Sequence, residues 1–330
     1  MERKHQLAFI DLLKQAVPPH LNLAEEIAAI LDISSDSVYR RLRTETDFSL
    51  EEVMKLVEEL NVSLSDLMAT RTNTVAFRVN NLNGESHSFT SYLKTLYGDL
   101  QWINQWEQPE IIYAAEDLPV FYHFFYPNLL KFKMIYWNKS ILGSTELQSL
   151  NVEEVNLPST WLSEVPKVRH EFLRTPSLEI WNEDTIKSNL KQIEYYWNAG
   201  YFQHKETVLG LLDDLTQMVE LVKMQATNGK KFDPIHQKYT DADFTLYACD
   251  VMIGNNCVFL QSKGQRASYI GHNSFNFIQT KNNQFNEQSH SWLTNLISKS
   301  ELVSRVSERR RNQYFKILFD QIQSFRDFVG

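Results

Sequence analysis

Three arginines close the stretch LAEEIAAILDISSDSVYRRLR, which spans residues 23–43. Guanidinium groups bind phosphate oxygens, and their paired N–H donors also match the edge of a guanine base. The stretch has the pattern of two short helices around a four-residue break, DISS, so Arg40, Arg41 and Arg43 fall on the second helix. The residue types and their spacing therefore indicate recognition of a polyanion by one helix.

A second set of reactive side chains lies in HQKYTDAD, residues 236–243. His236, Lys238 and Asp243 have the H-x-K-x4-D spacing of phospholipase-D-like enzymes, where the histidine is a nucleophile and the lysine binds phosphate. This sequence has one copy of the pattern and lacks the glycine-serine-asparagine element that follows it in those enzymes. A polar loop is the interpretation that we favour, and catalysis there is the alternative.

Other catalytic or cofactor motifs are not readable in the sequence. The ten glycines form no phosphate-binding loop, and the nine histidines are scattered. HEFLR begins like a zinc-protease helix but has Arg174 where the second histidine would be. Cys249 and Cys257 lack the spacing of a zinc site or a disulfide framework. We therefore predict no catalytic residues, no metal and no cofactor.

Short helices must position the arginine-bearing segment. A first helix is predicted at about 6–16, with Leu7, Ile10 and Leu13 on one side, and a second at 23–31. In the third helix, Ser34 or Ser35 caps the start, and Val38 and Leu42 face inward. Arg41 has an intermediate position toward a flanking phosphate. The residues predicted to face DNA are Ser34, Ser35, Asp36, Tyr39, Arg40 and Arg43.

Two further helices complete a small bundle. Ser49 and Glu52 have the S-x-x-E spacing of a capping box, which predicts the start of a fourth helix. The segment NVSLSDLM, residues 61–68, predicts a short fifth helix. Five short helices in about 70 residues make a compact all-α unit.

Residues 6–69 resemble the lambda-repressor-like helix-turn-helix of the XRE family of regulators. The resemblance rests on IAAILDISSDSVYRRL, with the Ile27-Ala28 pair, the apolar Ile33 in the turn and Val38 five residues later. Asp32 replaces the turn glycine that is usual in that family. The resemblance implies a domain that binds double-stranded DNA.

The charge of this unit opposes DNA binding at first sight. Residues 1–70 contain 7 Lys and Arg against 13 Asp and Glu, a net charge of −6 out of −8 for the chain. Many of the acids belong to the second and fourth helices, which can face away from the duplex. At physiological salt the screening length is about 8 Å, so acids on the far side cost little. We expect weak non-specific binding and a dependence on dimerisation.

Residues 73–330 predict an α+β domain for dimerisation or ligand sensing. From residue 243 the segments DFTLYACDVMI, NCVFLQS, RASYIG and FNFIQT alternate between turn signals, which predicts an antiparallel meander. The long amphipathic helices at 204–226 and 300–328 are the predicted dimer surface. Strands are predicted at 74–80 and 110–116, helices at 88–106, 119–137, 159–172, 182–199, 204–226, 285–298 and 300–328, and a sublobe boundary near residue 230 is an alternative.

The aromatic segment FYHFFYPNLLKFKMIYW, within 118–137, predicts a buried helix, with a ligand pocket as the alternative. Its Pro127, Lys131 and Lys133 are incompatible with a membrane span, and no signal peptide is visible at the N-terminus. We therefore predict a cytoplasmic protein without a membrane partner.

Together these observations predict a helix-turn-helix DNA-binding domain at 1–72 and an effector domain at 73–330. The predicted function is sequence-specific transcriptional regulation by a homodimer, with a small-molecule effector as an optional partner. One alternative is a phosphodiesterase-like enzyme, active or inactive, that the helical head targets to DNA. Another is a protein-interaction module whose head binds a partner protein.

Overall fold

A computed structural model describes residues 4–18, 21–60, 62, 74–79, 86–273 and 276–330. The chain divides into two compact units, Met1–Phe77 and Arg78–Gly330. The N-terminal unit is all-α and the C-terminal unit is mixed α and β, so the predicted fold class is confirmed.

The N-terminal unit is built on a small apolar core. The fully buried side chains include Leu13, Ile27, Val38 and Leu56, one from each of four helices. Leu7, which was predicted to belong to this core, is 52% exposed, and the neighbouring Phe9 is buried instead, whereas Ile10 is buried as predicted. Apart from residue 62, the predicted fifth helix at 61–68 lies outside the described residues. The described helices are α1 (Lys4–Ala16), α2 (Leu23–Leu31), α3 (Ser35–Leu42) and α4 (Leu50–Glu59).

The C-terminal unit alternates helices with strands. Its described α-helices are α5 (Ser86–Asn104), α6 (Val120–His123), α7 (Pro127–Tyr136), α8 (Ser159–Arg174), α9 (Lys187–Asn198), α10 (Lys205–Asn228), α11 (Asn283–Ser298) and α12 (Glu308–Val329). A π-helical turn at Trp137–Ile141 and a 3-10 turn at Thr145–Leu147 follow α7. Its described strands are β1 (Arg78–Val79), β2 (Glu110–Ala115), β3 (Ser177–Trp181), β4 (Lys230–Asp233), β5 (Lys238–Cys249), β6 (Cys257–Ser262), β7 (Gln265–His272), β8 (Asn276–Thr280) and β9 (Ser300–Leu302).

The described strands form one sheet in the order β1-β8-β7-β6-β2-β3-β5-β4, and β9 pairs with β5. β2, β3 and β5 are parallel neighbours, and the other described pairs are antiparallel. Strands from both sides of residue 230 belong to this sheet. Parallel strands occur in sheets that helices cover on both faces, and such strands are therefore apolar along most of their length. The sequences of β2 and β3 are consistent with this rule.

The two faces of the sheet have different covers. One face, with Ile111 and Phe244, packs in a large core that includes residues of α5 to α10 and α12. The other face, with Ile112 and Phe259, packs against Leu293 of α11 in a smaller core. Consecutive residues of β2 point into different cores because side chains alternate along a strand. Within the described residues, no helix has both the length and the apolar character that a membrane crossing needs.

Several predicted elements differ from the structure. The helix predicted at 119–137 is broken into α6 and α7, because Pro127 has no N–H to donate and takes the first position of the second helix. The predicted meander is correct for β6, β7 and β8, but β5 pairs in parallel with β3. β3, β4 and β9 were not predicted, and each is five residues or shorter.

Two ionisable residues, Glu179 and Lys231, are buried in the C-terminal unit. Glu179 of β3 accepts hydrogen bonds from the Tyr122 hydroxyl at 2.9 Å, the Trp181 indole at 2.9 Å and the Ser177 hydroxyl at 3.3 Å. Lys231 of β4 is fully buried, and its Nζ donates to the carbonyl oxygen of Phe172 at 2.7 Å. Burial lowers the pKa of Lys231 to about 7, although the charge of Glu179 opposes this shift. Burial also raises the pKa of Glu179.

We expect Lys231 to make the stability of this unit pH-dependent. Its folded pKa, about 7, lies below the value of 10.5 for a free lysine, so between these values the unfolded chain binds the extra proton and raising the pH favours folding. The free energy of unfolding should rise by on the order of 2–3 kcal/mol from pH 7 to 9.5. All seven tryptophans lie within 78–330, so their fluorescence in urea titrations reports on this unit.

The matched variants are Lys231→Met and Lys230→Met. Lys230 is the neighbouring residue in β4, and its side chain is 41% exposed. The rise with pH should disappear in Lys231→Met and persist in Lys230→Met. An equal rise in the wild type and both variants would contradict the assignment to Lys231.

Candidate nucleic-acid interface

The start of α3 is fixed by Ser34. Its backbone is extended, and its hydroxyl oxygen accepts a hydrogen bond from the Ser37 backbone N–H at 3.3 Å. The hydroxyls of Ser34 and Ser37 also lie 2.9 Å apart. Of the two residues predicted as the N-cap of α3, Ser34 is therefore the one that caps the helix. Ser35 and Asp36 follow in the first turn, and both are exposed.

The turn between α2 and α3 depends on a left-handed residue. Asp32 has φ 57° and ψ 47°, which is the conformation that a glycine adopts most easily. Its backbone N–H and that of Ile33 donate to the carbonyl oxygen of Ala28, the latter at 3.2 Å. Aspartate tolerates this conformation better than most residues do. The turn expected at Asp32 is confirmed.

The inner face of α3 carries Val38, Leu42 and Arg41. Val38 is fully buried, and Leu42 is half-buried against the same core. The Arg41 guanidinium forms two hydrogen bonds with the Glu52 carboxylate of α4, Nη2 to Oε1 at 2.7 Å and Nε to Oε2 at 3.0 Å. Its Nη1 also donates to the Ser37 carbonyl oxygen at 3.0 Å. Three of its five N–H donors are thus engaged inside the domain, so Arg41 is directed inward and not, as expected, toward a flanking phosphate.

Glu52 has a second partner at the start of α4. Its Oε2 accepts a hydrogen bond from the Ser49 backbone N–H at 2.9 Å, and the Glu52 N–H donates to the Ser49 hydroxyl at 3.2 Å. The predicted capping box is confirmed. Partial burial raises the pKa of Glu52, but the hydrogen bonds from Arg41 and Ser49 and the charge of Arg41 outweigh it, so the pKa is lowered. One carboxylate thus caps α4 and holds α3.

A glutamine from the first helix ties down the end of α3. The Gln6 side-chain amide donates to the carbonyl oxygens of Arg41 at 3.0 Å and Thr46 at 2.8 Å. Sequence patterns did not reveal Gln6, because a glutamine near a helix start carries no spacing signal. Only one of the two roles of Glu52 could be predicted from the sequence: the capping box was predicted, but the pairing with Arg41 was not.

The outer face of α3 presents the predicted contact residues. Ser34, Ser35, Asp36, Tyr39, Arg40 and Arg43 are all exposed. Among the described residues, the Arg40 guanidinium makes no hydrogen bond or ion pair. Arg43 lies 5.9 Å from the centre of the Tyr39 ring and 3.9 Å from Glu45, and its side chain is 69% exposed. Arginines with this freedom can donate to guanine edges and phosphates.

These helices have a counterpart among known protein families. Residues 8–81 match the BetR domain. This is a DNA-binding helix-turn-helix-like domain, and the match covers 74 of the 330 residues. No curated protein matches the chain. No solved structure matches it either.

The BetR match includes all of α2, α3 and α4, and therefore the Asp32 turn, the Arg41–Glu52 pair and the exposed arginines. The part of the N-terminal unit that carries these residues therefore resembles a DNA-binding helix-turn-helix-like domain. Of the described strands, the match includes β1 and none of the others.

The second set of reactive residues does not converge. His236 lies in the exposed turn between β4 and β5, where its Nδ1 is 2.7 Å from Asp233. Lys238 is exposed at the start of β5. Asp243 is paired with Lys230 and Arg305, each at 3.1 Å. This arrangement fits the polar-loop interpretation of the sequence.

We expect Glu52→Ala to loosen both α3 and α4. The variant removes an acceptor for Ser49 and both hydrogen bonds from Arg41, and the expected loss is about 2 kcal/mol of local stability. Ser49→Ala removes the cap alone and should cost about 1 kcal/mol. Hydrogen exchange of the α4 amides in the full-length chain measures both values.

Glu58→Ala is the control, because Glu58 is an exposed glutamate of the same helix. The stabilisation from Glu52 should be present above about pH 4.5, its ordinary pKa, and fade as the pH falls through its lower folded pKa. Equal losses of protection in Glu58→Ala and Glu52→Ala would refute the special role of Glu52.

Proposed function

We propose that this protein is a sequence-specific transcriptional regulator of the XRE type, acting in the cytoplasm as a homodimer on double-stranded DNA. The observation that carries the proposal is the division of α3 into two faces. Arg41 is engaged by Glu52 on the inner face, while Arg40 and Arg43 remain exposed on the outer one. The BetR match supports DNA as the ligand of that outer face.

The proposed contacts follow from the side chains on the outer face. Arg40 and Arg43 are assigned to guanine edges, each of which an arginine can bind through two N–H donors. Ser34 and Ser35 are assigned to phosphate oxygens near the start of the helix, and Asp36 to the amino group of cytosine. Tyr39 lies beside Arg43 on the same face, with the Arg43 guanidinium 5.9 Å from the centre of its ring.

The acidic composition is part of the proposal. With few basic side chains on the outer face, few phosphates are neutralised, and non-specific affinity is low. Base contacts then supply a larger share of the binding free energy than they do in a strongly basic domain. Selectivity is favoured, and total affinity must come from a second copy.

The dimer surface requires a correction. Leu211, Leu215, Met218 and Val222, the stripe on α10 that suggested a dimer contact, are fully buried in their own unit. The exposed Phe328 at the end of α12 stacks on Phe325 with ring centres 5.8 Å apart. We assign the dimer contact to this end of α12, and we assign no reaction to the C-terminal unit.

We expect Arg40→Ala and Arg43→Ala to reduce specific binding more than binding to random duplex. Loss of a bidentate guanine contact should cost about 1–3 kcal/mol at the selected site. The specific duplex is selected from a library of random DNA sequences with the full-length chain. Fluorescence anisotropy at fixed salt then gives the affinities for the selected and the random duplex. Arg309→Ala removes an exposed charge from the C-terminal unit and is the control. Equal losses on both duplexes would make Arg40 a phosphate contact.

We also expect the selected sites to be inverted repeats with half-sites about one helical turn, roughly 34 Å, apart. Sedimentation velocity should show a dimer of the full-length chain, and Phe328→Asp should shift it toward the monomer. Ser324→Asp, an exposed position on the same helix, is the matched charge control. A monomer that binds one half-site tightly would refute the dimer proposal.

A further inference from the structure

An apolar cavity of about 30 Å³ lies between α5, α6 and the strands β6 to β8. Its lining includes Leu100 of α5, Phe121 of α6, Leu260 of β6 and Phe277 of β8. Phe121 belongs to the aromatic segment for which a ligand pocket was the alternative interpretation. The surface of the cavity is entirely apolar. Such a surface offers water no hydrogen-bond partner, so it favours an apolar occupant.

Two wall residues carry polar ends that are bonded outside the cavity. Asp99 of α5 forms an ion pair with Arg78, with 3.2 Å between Nη2 and Oδ2. The hydroxyl of Tyr269, on β7, accepts a hydrogen bond from the Gln279 side chain at 2.6 Å and is also hydrogen-bonded to Asp99. The carbon atoms of Asp99 and Tyr269 thus face the cavity, while their oxygens form a polar network behind its wall.

This network holds the strand by which the chain enters the C-terminal unit. β1 contains Arg78 and Val79, directly after the N-terminal unit ends at Phe77. It pairs with Gln279 and Ile278 of β8, and both of its residues are exposed. Two ladder positions provide little stability for an edge strand. The Arg78–Asp99 pair is therefore a substantial part of what anchors β1.

The properties of the cavity define the ligand class. An ion or a strongly polar molecule would lose its hydration and find no partner in the cavity surface. An uncharged apolar molecule would gain dispersion contacts with side chains that border empty space. The volume restricts the ligand to a few heavy atoms unless the walls move.

We propose that this cavity is a regulatory site for a small, uncharged, apolar molecule, and that its occupancy strengthens the anchoring of β1 through Asp99 and Tyr269. Filling the cavity restricts both side chains, so Arg78 and Gln279 keep their partners for a larger fraction of time. If cavity occupancy also controls DNA binding, that effect rests on the proposed function. Binding of the apolar molecule in the cavity and the stronger anchoring of β1 do not rest on it.

Xenon is the probe, because it is spherical, apolar and uncharged. The full-length chain, with ¹³C-labelled methyl groups, is titrated with xenon under pressure. Saturable shifts should appear at methyl groups of Leu100, Leu260 and Val258. Exchange of the β1 amides, measured in the same samples, should slow about fivefold or more, the usual lower range for coupled sites.

Two variants and a control separate the steps. Val258→Ile fills the cavity and should abolish the xenon shifts, whereas Val219→Ile in α10, a buried valine that is not part of the cavity lining, should leave them in place. Arg78→Gln keeps the cavity but breaks the ion pair, so xenon should still bind while the β1 amides no longer respond. Arg78→Gln also tests the proposal if Val258→Ile fails to fold.

The proposal is overturned if the wild type shows no saturable shifts, if Val258→Ile shifts like the wild type, or if xenon leaves β1 exchange unchanged. DNA affinity is measured separately without xenon. A chain that binds xenon and slows β1 exchange but binds no duplex would refute the proposed function and leave this inference intact. The reverse pattern would refute only the inference.

Discussion

The N-terminal domain depends on one carboxylate that binds two different partners. Glu52 caps its own helix through Ser49 and binds the guanidinium of Arg41 in the preceding helix. Because Arg41 is one residue from Arg40 and two from Arg43, the pair fixes the rotation of α3 about its axis, and with it the direction of the exposed arginines. A partly buried ion pair with two hydrogen bonds has a defined geometry, which a flexible surface pair would not have. The presentation of the outer face therefore follows from an interaction on the inner face.

Much of this domain could be predicted from the sequence because its signals are local. The capping box, the left-handed Asp32 and the one-sided spacing of Val38 and Leu42 each act within five residues. The orientation of Arg41 could not be predicted, since its partner lies eleven positions away and arginine fits an exposed or an inward site equally well. Gln6 could not be found either, because it reaches backbone carbonyls about 35 and 40 residues away. Which exposed side chains touch DNA stays a prediction.

The C-terminal unit was harder to predict because its sheet joins distant segments. The parallel strands β2, β3 and β5 come from around residues 110, 180 and 240. The sequence around each strand contains no signal that identifies its neighbours in the sheet. The hairpins from β6 to β8 were visible because turn residues separate alternating segments. The buried Glu179 and Lys231 were invisible, since a charged residue in a strand normally faces solvent. The helix break at Pro127 was readable in principle, but the continuous aromatic pattern on both sides concealed it.

The pairing of β1 with β8 also has a consequence for how the protein is made. Arg78 and Val79 leave the ribosome about 200 residues before Gln279 and Ile278, the residues beside which they pair. Domains emerge in order during synthesis, so the helical domain can fold while the sheet still lacks most of its strands. β1 therefore has no β8 to pair with until translation is nearly complete. The helices of the N-terminal unit can therefore be folded in a nascent chain before the unit that follows them is complete.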